Sequence, residues 1–170
     1  GVPVMLNPAP ATDLDDELLR FVTYLTPNEQ EASVETGLPL SADENGPLRE
    51  DLQKIAAALW EKGVENVIIT LGGSGSAVVR EDGIHYISSV HMDHVADPTA
   101  AGDSFVGALS VGLTVGLSQD EALAFASHTA AITVSRMGAM PSLPTLAEVQ
   151  TLLKERGYRG FDSAALDILK

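Results

Sequence analysis

The residue types most suited to chemistry stand in one short segment, ADPTAAGDSFVGAL, residues 96–109. In it Asp103 directly follows Ala100, Ala101 and Gly102, at the start of a nearly uncharged run that predicts a helix. The backbone N–H groups of a first helical turn have no intrahelical acceptor, and the helix dipole favours negative charge there. Small side chains would let an anion such as a phosphate approach this backbone closely.

The spacing alone allows two interpretations of Asp103. A carboxylate beside an anion site is placed to take a proton from a nucleophilic hydroxyl. An acid in the first turn is also stabilising in any helix, without a chemical role. The serine that follows, Ser104, lacks the strand-turn-helix context of a nucleophile elbow.

A second candidate is the glycine-rich segment TLGGSGSAV, residues 70–78, which begins at Thr70. Gly72, Gly73 and Gly75 follow a buried strand and could bring backbone N–H groups to a phosphate. A strand follows them rather than a helix, so the segment is neither a dinucleotide fingerprint nor a P-loop. Taken by itself, a hairpin turn is the simpler interpretation.

A third candidate is the pair Asn28 and Glu31, three residues apart at the start of a predicted helix and therefore on one face. An amide and a carboxylate could hold a hydrated Mg²⁺ that accompanies a phosphate, because Mg²⁺ prefers oxygen ligands and keeps several waters. The alternative is an ordinary capped helix end that faces solvent.

The four histidines indicate no metal centre. His91 and His94 are three apart on a predicted strand and so face opposite sides, which argues against a shared metal. His85 is also predicted on a strand, and His128 is interpreted as helix packing or the edge of a site.

The elements that must position these residues follow from periodicity and capping signals. Thr26 is predicted as the N-cap of a helix with Pro27 at its first position, Glu29 closing a capping box and Gly37 as the C-cap. Ser118 with Glu121 and Thr145 with Glu148 open two later helices. The other predicted helices span 13–20, 47–63 and 102–115, and strands are predicted within 2–6, 21–26, 64–80, 83–88 and 90–97.

Composition limits the class of protein. The 170 residues fit one domain, and 10 basic against 24 acidic residues give a net charge of 10 − 24 = −14. That charge argues against non-specific binding to nucleic acid or to an anionic membrane, so an anionic ligand needs backbone N–H groups or a cation. There is no cysteine, and no apolar run approaches the roughly 18 residues of a membrane span. A cytoplasmic location is expected.

The order of the elements predicts an α/β layered domain. Strands come early and interleaved with helices, and three helices close the chain, which favours a largely parallel sheet with helices on its faces. The continuously apolar VIITL, residues 67–71, predicts a central strand covered on both sides. Residues 155–170 are predicted to form a weakly specified tail.

Five segments in this order resemble the C-terminal part of the ribokinase family of carbohydrate kinases, the phosphofructokinase-B type. They are LNPAP (6–10), TPNEQEA (26–32), VIITLGGSG (67–75), DPTAAGDSFVGAL (97–109) and FASHTAAITVSRMGAMPSLP (125–144). The first and last look most similar to the members of the family that phosphorylate ribose.

The resemblance implies a three-layer αβα sandwich with a largely parallel central sheet. Residues 1–170 would form the C-terminal nucleotide-binding and catalytic part, without the N-terminal half and its lid. The implied reaction transfers the γ-phosphoryl group of ATP to a primary hydroxyl of a sugar, giving ribose 5-phosphate from ribose. Asp103 would be the general base, and Ala100, Ala101 and Gly102 would form the anion hole.

The resemblance also implies ligand roles for residues outside the anion hole. Mg²⁺ would accompany ATP, with Glu31 acting on it indirectly, and a K⁺ ion would activate the enzyme. The residues implied in ATP binding are Asn28, Thr70, Gly72, Gly73, Gly75, Gly102, Asp103 and Ser127. The residues implied in K⁺ binding are Asp97, Thr99, Thr133, Arg136, Gly138 and Ser142.

One departure from the family pattern falls in this loop, because Pro98 stands where the family commonly has threonine, removing one N–H and stiffening the loop. The expected partners are ATP and a small sugar, with neither nucleic acid nor membrane, and the resemblance implies a homodimer made through the lid. Alternatives within the family are kinases for fructose, a keto-deoxy sugar acid or a nucleoside. An alternative of another class is a non-catalytic nucleotide- or partner-binding half domain.

Overall fold

A computed structural model describes residues 1–44, 46–80, 82–158 and 164–169 of the chain. The chain divides into two compact units, residues 1–88 and 89–170. The first unit contains the sheet and three helices, and the regular elements in the described part of the second unit are all helices.

The sheet of the first unit is mixed. Its strands are β1 (Met5–Leu6), β2 (Tyr24–Leu25), β5 (Asn66–Thr70), β6 (Ser76–Arg80) and β7 (Gly83–Ile87), side by side in that order. The pairs β1–β2 and β2–β5 are parallel, and the pairs β5–β6 and β6–β7 are antiparallel. Four of these five strands therefore run in one direction, and the parallel ones end at the same edge.

The middle strand β5 is buried as its sequence predicts. Val67, Ile68 and Ile69 are each fully buried, which is typical of a strand covered on both faces. Val67 and Ile69 pack with residues of the neighbouring helices in one apolar cluster, whereas Ile68 points to the other face of the sheet. A small antiparallel hairpin, β3 (Ala42–Asp43) with β4 (Gly46–Pro47), lies outside this sheet.

The helices of the first unit are α1 (Asp16–Leu19), α2 (Glu29–Thr36) and α3 (Arg49–Glu61). In α3, Leu52, Ile55 and Leu59 recur at helical spacing and are fully buried, and Gly63 has a φ of 104° just after the helix ends. An ion pair between the buried Glu35 and the partly exposed Lys62 joins α2 to the residue after α3, with Lys62 Nζ 3.2 Å from Glu35 Oε1. The Glu35 carboxylate also accepts the Leu14 N–H at 3.1 Å.

Three predictions for the first unit are wrong in detail. The helix α2 begins two residues later than predicted, because Asn28 rather than Thr26 is its N-cap and Glu31 rather than Glu29 closes the capping box. The helix α1 is shorter than the predicted 13–20, because Asp15 caps it. Of the residues predicted as the first strand only Met5 and Leu6 pair, and Val2 is exposed.

The helices of the second unit are α4 (Ala101–Thr114), α5 (Gln119–Val134) and α6 (Leu146–Glu155). Both ends of α4 and the starts of α5 and α6 agree with the prediction to within one residue. Gly112 lets α4 and α5 approach closely, because a Cβ there would lie 3.0 Å from the Ala122 Cβ. Short 3₁₀ turns follow at Met140–Ser142 and Ala165–Leu169. In the predicted tail Leu166 is buried, and residues 159–163 and 170 lie outside the described residues.

The strand predicted at 90–97 is absent from the structure. Ala96 and Asp97 donate their N–H groups to the Val134 carbonyl at the end of α5, at 2.8 and 3.2 Å, so they join no sheet ladder. His91 and His94 are exposed on this segment. Because the segment is not a strand, the prediction that their side chains face opposite sides of one no longer applies. Among the described residues, no helix combines the length and apolar composition that crossing a lipid bilayer requires.

Candidate active site

The start of α4 has a backbone conformation that sets it apart. Ala100, the N-cap, has φ 62° and ψ 10° and is the one non-glycine residue with positive φ in the described part of the chain. Such a left-handed conformation costs an alanine roughly 1–2 kcal/mol. The Pro98 carbonyl accepts the Ala101 N–H at 3.2 Å, and the Ala100 carbonyl accepts the Ser104 N–H at 2.9 Å. Pro98 thus forms part of the turn that leads into the helix.

The N–H groups of Gly102 and Asp103 fall in the first turn of α4, where a helix offers no acceptor for them. Ala100 has no side-chain oxygen to cap them. Gly102 is exposed, and a Cβ built there would meet nothing within 4 Å. The structure therefore leaves open the approach to this backbone that the sequence predicts for an anion.

The third residue of every helix from α2 to α6 is an acid, and Asp103 differs from the other four. Each of those accepts a backbone N–H bond, at distances of 2.7–3.0 Å. They are Glu31 from Asn28, Asp51 from Ser41, Glu121 from Ser118 and Glu148 from Thr145. Asp103 is exposed and its side chain makes no hydrogen bond or ion pair with any described residue. Its carboxylate is therefore available to a ligand.

Asp97 ties two loops of the second unit together. Its Oδ1 accepts the Thr99 N–H and its Oδ2 accepts the Gly138 N–H, both at 2.9 Å. The hydrogen bonds from the side chain and N–H of Thr99, followed by that from Gly138, hold the pKa of the Asp97 carboxyl below its usual value. Residues 41 positions apart are thereby held side by side.

Of the other residues predicted to bind K⁺, Thr133 lies in the last turn of α5, and Arg136 and Ser142 come after that helix. The Thr133 carbonyl accepts the Arg136 N–H at 3.1 Å, and the buried Ser142 hydroxyl donates to the Ala139 carbonyl at 2.6 Å. The structure thus brings Asp97, Thr99 and Gly138 into hydrogen-bond contact and places Thr133, Arg136 and Ser142 in the adjoining turns. Carboxylate, carbonyl and hydroxyl oxygens are the donors that suit a hard cation, so the residues present fit a K⁺ ion.

An ion pair supports the same turns from α6. Arg136 Nη2 lies 2.5 Å from Glu148 Oε1, and Glu148 also closes the capping box of Thr145. The Arg136 hydrogen bond, followed by those from Thr145, lowers the pKa of Glu148 to about 2. The side chain of Arg136 therefore has a structural partner, and its predicted cation role concerns its carbonyl alone.

In the first unit the glycine-rich segment is a hairpin, as the simpler interpretation predicts. Gly72 and Gly75 have φ of 52° and 104°, and the Gly75 carbonyl accepts the Leu71 N–H at 2.8 Å between β5 and β6. A Cβ at Gly72 or Gly73 would meet nothing within 4 Å, so a ligand has free access to this backbone. The hairpin and a phosphate-binding role are compatible.

Asn28 and Glu31 lie beside that hairpin. Asn28 forms an isolated parallel bridge with Thr70, and the Thr70 N–H donates to the Pro27 carbonyl at 2.9 Å. The side chains of Asn28 and Glu31 form a complete capping box, with Glu31 Oε2 accepting the Asn28 N–H at 2.8 Å. Among the described residues no three His, Asp or Glu side chains are grouped to hold a metal, so a Mg²⁺ ion here would need ATP and water as ligands.

Ser127 and His128 lie on the buried part of α5. His128 packs edge-on against Tyr158, with 6.2 Å between the ring centroids, and its Nδ1 lies 2.7 Å from the Ala124 carbonyl. Burial, together with the nearby charge of Arg156, lowers the pKa of His128 although the Ala124 carbonyl opposes the shift. The interpretation of His128 as helix packing is confirmed.

Sequence reasoning did not single out the side chain of Asn7. It follows β1 at the carboxyl edge of the parallel strands, and its Oδ1 is buried without a hydrogen-bond partner. Ligands of α/β proteins bind at this edge, which is the one signal that could have marked the residue.

The sequence profile of the pfkB family carbohydrate kinases matches residues 1–146. The ribokinase of Haemophilus influenzae is 42% identical over 154 residues, covering 91% of this chain and 48% of that protein. The chain therefore spans about half the length of the curated relatives it matches.

Solved structures give the same picture. The ribokinase of Arabidopsis thaliana, solved with ribose and ATP, is 35% identical with a TM-score of 0.82, covering 90% of this chain and 48% of its own. An E. coli protein assigned as ribokinase II, solved with ATP and Mg²⁺, is 26% identical with a TM-score of 0.68 and covers 82% and 42%. These similarities confirm the predicted α/β class with an αβα, ribokinase-like fold.

Proposed function

Because the chain belongs to the pfkB family of carbohydrate kinases, we propose that it carries the phosphoryl-transfer machinery of an ATP-dependent ribose kinase. The reaction moves the γ-phosphoryl group of ATP to the primary hydroxyl of D-ribose and yields ribose 5-phosphate and ADP. The observation that carries the proposal is Asp103, a helix-start acid whose side chain has no partner among the described residues, beside a helix start that no side chain caps.

Asp103 is the general base of this reaction. It accepts the proton of the ribose hydroxyl as the hydroxyl oxygen attacks the γ-phosphorus and the bond to the β-phosphate oxygen breaks. An exposed carboxylate that is not engaged in a capping box can contact the sugar directly. The neighbouring Ser104 does not compete for the role, because its hydroxyl donates to the Ala101 carbonyl at 2.9 Å.

The start of α4 stabilises the negative charge of the transferring group. The N–H groups of Gly102 and Asp103 belong to the first turn, where the helix dipole adds to their attraction for an anion, whereas the Ala101 N–H donates to the Pro98 carbonyl. The left-handed Ala100 directs the chain into the helix without a capping side chain. Such a local device is needed because the net charge of −14 repels ATP in general.

The first unit and α5 supply the remaining nucleotide contacts in this proposal. Asn28, Thr70 and the open hairpin backbone of Gly72, Gly73 and Gly75 bind phosphate oxygens, and Ser127 contacts the adenine side. The parallel bridge between Asn28 and Thr70 supports the first part, since it holds the two phosphate-binding segments side by side.

Two cations complete the charge balance. Mg²⁺ would neutralise the phosphates of ATP, and K⁺ would add positive charge near the anion hole. Glu31, one of whose oxygens accepts the Asn28 N–H, would act on Mg²⁺ indirectly. Asp97, Ser142 and the carbonyls of Thr99, Thr133, Arg136 and Gly138 would hold K⁺. The homodimer that the resemblance implies remains a prediction.

The decisive experiment replaces Asp103 by Asn and follows ribose-dependent release of ADP. We expect turnover to fall by about 100- to 10,000-fold, the usual contribution of a general base. Affinity for ATP should change by less than about threefold, because the amide keeps the size of the side chain and the helix start keeps its N–H groups.

The matched control is Asp93→Asn, an exposed acid of the same unit, which should leave turnover unchanged. Unchanged turnover in Asp103→Asn would remove Asp103 from the role of base. If no sugar releases ADP although ATP binds, the chain is a nucleotide-binding module instead. Comparison of ribose with fructose, a keto-deoxy sugar acid and a nucleoside tests the choice of acceptor.

A further inference from the structure

The loop that leads into α4 is held at both of its ends by backbone hydrogen bonds. Ala96 and Asp97 donate their N–H groups to the Val134 carbonyl at 2.8 and 3.2 Å, which holds the start of the loop against the end of α5. At the other end the Ala101 N–H donates to the Pro98 carbonyl at 3.2 Å. The loop is therefore anchored to α5 on one side and to the start of α4 on the other.

Pro98 is the middle residue of a turn closed by a side chain. Asp97 Oδ1 accepts the N–H of Thr99, two residues further on, at 2.9 Å, which is the pattern of an Asx turn. The middle residue of such a turn donates no hydrogen bond within it, so Pro98 gives up no bond of this turn by lacking an N–H. Its ring fixes φ at about −65° and disfavours the helical conformation in Asp97. The proline therefore stiffens the turn without weakening it.

The loop includes a strained residue and has little packing to hold it. Ala100 has a left-handed φ of 62°, which is unfavourable for an alanine, and Pro98 and Thr99 are exposed. Besides the backbone anchors, the Gly138 N–H holds the loop by donating to Asp97 Oδ2 at 2.9 Å. A proline adds to such bonds in another way, because it reduces the number of conformations open to the chain when the bonds break.

We propose that Pro98 is a positioning residue for the cation site, which keeps the Asp97 carboxylate and the Thr99 carbonyl in place for K⁺ before the ion binds. An ion binds more tightly to a loop that is already in its binding conformation, because less conformational freedom is lost and a larger fraction of the chain is competent. The part of the inference that concerns K⁺ rests on the proposed function, whereas the effect on the loop is independent of any reaction.

The first test measures how often the loop opens when no K⁺ or ATP is present. Amide hydrogen exchange of the Gly138 N–H, followed by NMR, reports the breaking of its bond to Asp97. In Pro98→Ala we expect this exchange to be about two- to fivefold faster, the factor that corresponds to the freedom a proline removes from an open chain. The Glu121 N–H, in the capping box of α5, is the internal reference and should exchange at an unchanged rate.

The second test measures binding of K⁺ alone, through the change that the ion causes in the NMR signal of the Gly138 N–H. Pro98→Ala should raise the half-saturating K⁺ concentration, by up to about fivefold. Pro98→Gly should raise it further, because glycine gives the open loop still more freedom. Pro3→Ala, which replaces an exposed proline of the first unit, is the matched control and should leave both the exchange and the K⁺ titration unchanged.

Turnover distinguishes a positioning role from a direct one. At saturating K⁺ the ribose-dependent turnover of Pro98→Ala should return to that of the unmodified chain, because Asp103 and the start of α4 are untouched. Three results would overturn the inference: unchanged Gly138 exchange in both Pro98 variants, no response of the signal to K⁺, or an unchanged half-saturating concentration. If both effects of Pro98 are found but no sugar is phosphorylated, the proposed function fails and the role of Pro98 stands.

Discussion

One helix start in the first unit, that of α2, and one in the second, that of α4, differ in whether their polar side chains have partners among the described residues. In the first unit Asn28 and Glu31 satisfy each other in a capping box, and the buried Glu35 is paired with Lys62. In the second unit the same relative positions at the start of α4 are held by Ala100 and Asp103, which make no such box. The first helix start is closed and the second is open.

The closed start of α2 therefore supports the fold, whereas the open start of α4 is available for chemistry. A capped helix start stabilises the fold because its orphan donors are satisfied by the protein itself. An uncapped start with an unpaired acid gives up that stabilisation and keeps its N–H groups for a ligand. Substitutions that alter one unit at a time test this contrast. Their expected effects on stability are given from the largest to the smallest.

Removal of the buried charge partner in the first unit should have the largest effect. Lys62→Met leaves the Glu35 carboxylate, which has a fully buried side chain, without its cation. Breaking a buried pair is strongly destabilising, and with Lys62 partly exposed we expect a loss of about 2 kcal/mol in the free energy of unfolding.

The counterpart in the second unit is Arg136→Met, which removes a pair whose side chains are 36% and 42% exposed. Its effect should be clearly smaller than that of Lys62→Met, because exposed pairs contribute little. Denaturant unfolding of both variants measures the difference, with Lys54→Met as an exposed control. Equal losses would contradict the contrast between the units.

An exchange of alanine and glycine tests the strain at the open helix start. Gly37, which ends α2, has φ 67° and ψ 10°, and Ala100 has φ 62° and ψ 10°. Gly37→Ala should cost about 1 kcal/mol through the left-handed backbone alone, since its Cβ would meet nothing within 4 Å.

The reverse change, Ala100→Gly, should be neutral or stabilising by up to about 1 kcal/mol, because relief of the strain is offset by the larger entropy loss of glycine. Thermal unfolding of both variants gives the comparison. A clear loss of stability in Ala100→Gly would show that Ala100 makes contacts that outweigh its backbone strain.

The pH dependence of stability should reveal the buried imidazole of the second unit. The pKa of His128 is lowered from its ordinary 6.5, so the unfolded chain binds this proton at a higher pH than the folded chain does. The contribution to stability is therefore complete above pH 6.5 and is lost as the pH falls below it.

His128→Asn should remove this slope, whatever it does to the overall stability. Tyr158→Phe is the control, because it keeps the ring beside His128 and should retain the slope. The charge of Arg156 adds to the lowering of the His128 pKa. The charges of Asp120 and Glu121 raise the pKa of the neighbouring Tyr158. The same slope in His128→Asn would assign the acid sensitivity to another group.

The sequence predicted most of the elements that position the candidate site. The capping boxes of α5 and α6 were predicted from Ser118 with Glu121 and Thr145 with Glu148, and the structure confirms both. A capping box depends only on residues close together in the chain, so it can be predicted from the local sequence. The five segments also identified the family, which the match over residues 1–146 confirms.

The errors arose where two local signals competed or where pairing decided the outcome. At α2, Thr26 and Asn28 are both good N-caps, and the hydrogen bond from the Thr26 N–H to the Leu6 carbonyl at 2.9 Å keeps Thr26 with the sheet. At 90–97 the sequence suggested a short strand, but the Ala96 and Asp97 N–H groups bond to the end of α5 instead. A strand needs a neighbour, and its own residues do not specify one.

The sequence by itself determined that a small-residue segment with Asp103 opens a helix, that a glycine-rich hairpin follows a buried strand, and that both belong to a family of carbohydrate kinases. Only the tertiary structure decided which acids are free. Glu31 and Asp103 occupy the same position in their helices, yet one is bound in a box and the other has no partner among the described residues. Spacing along the chain places an acid, but whether a partner reaches it depends on the backbone conformation before the helix and on what packs nearby.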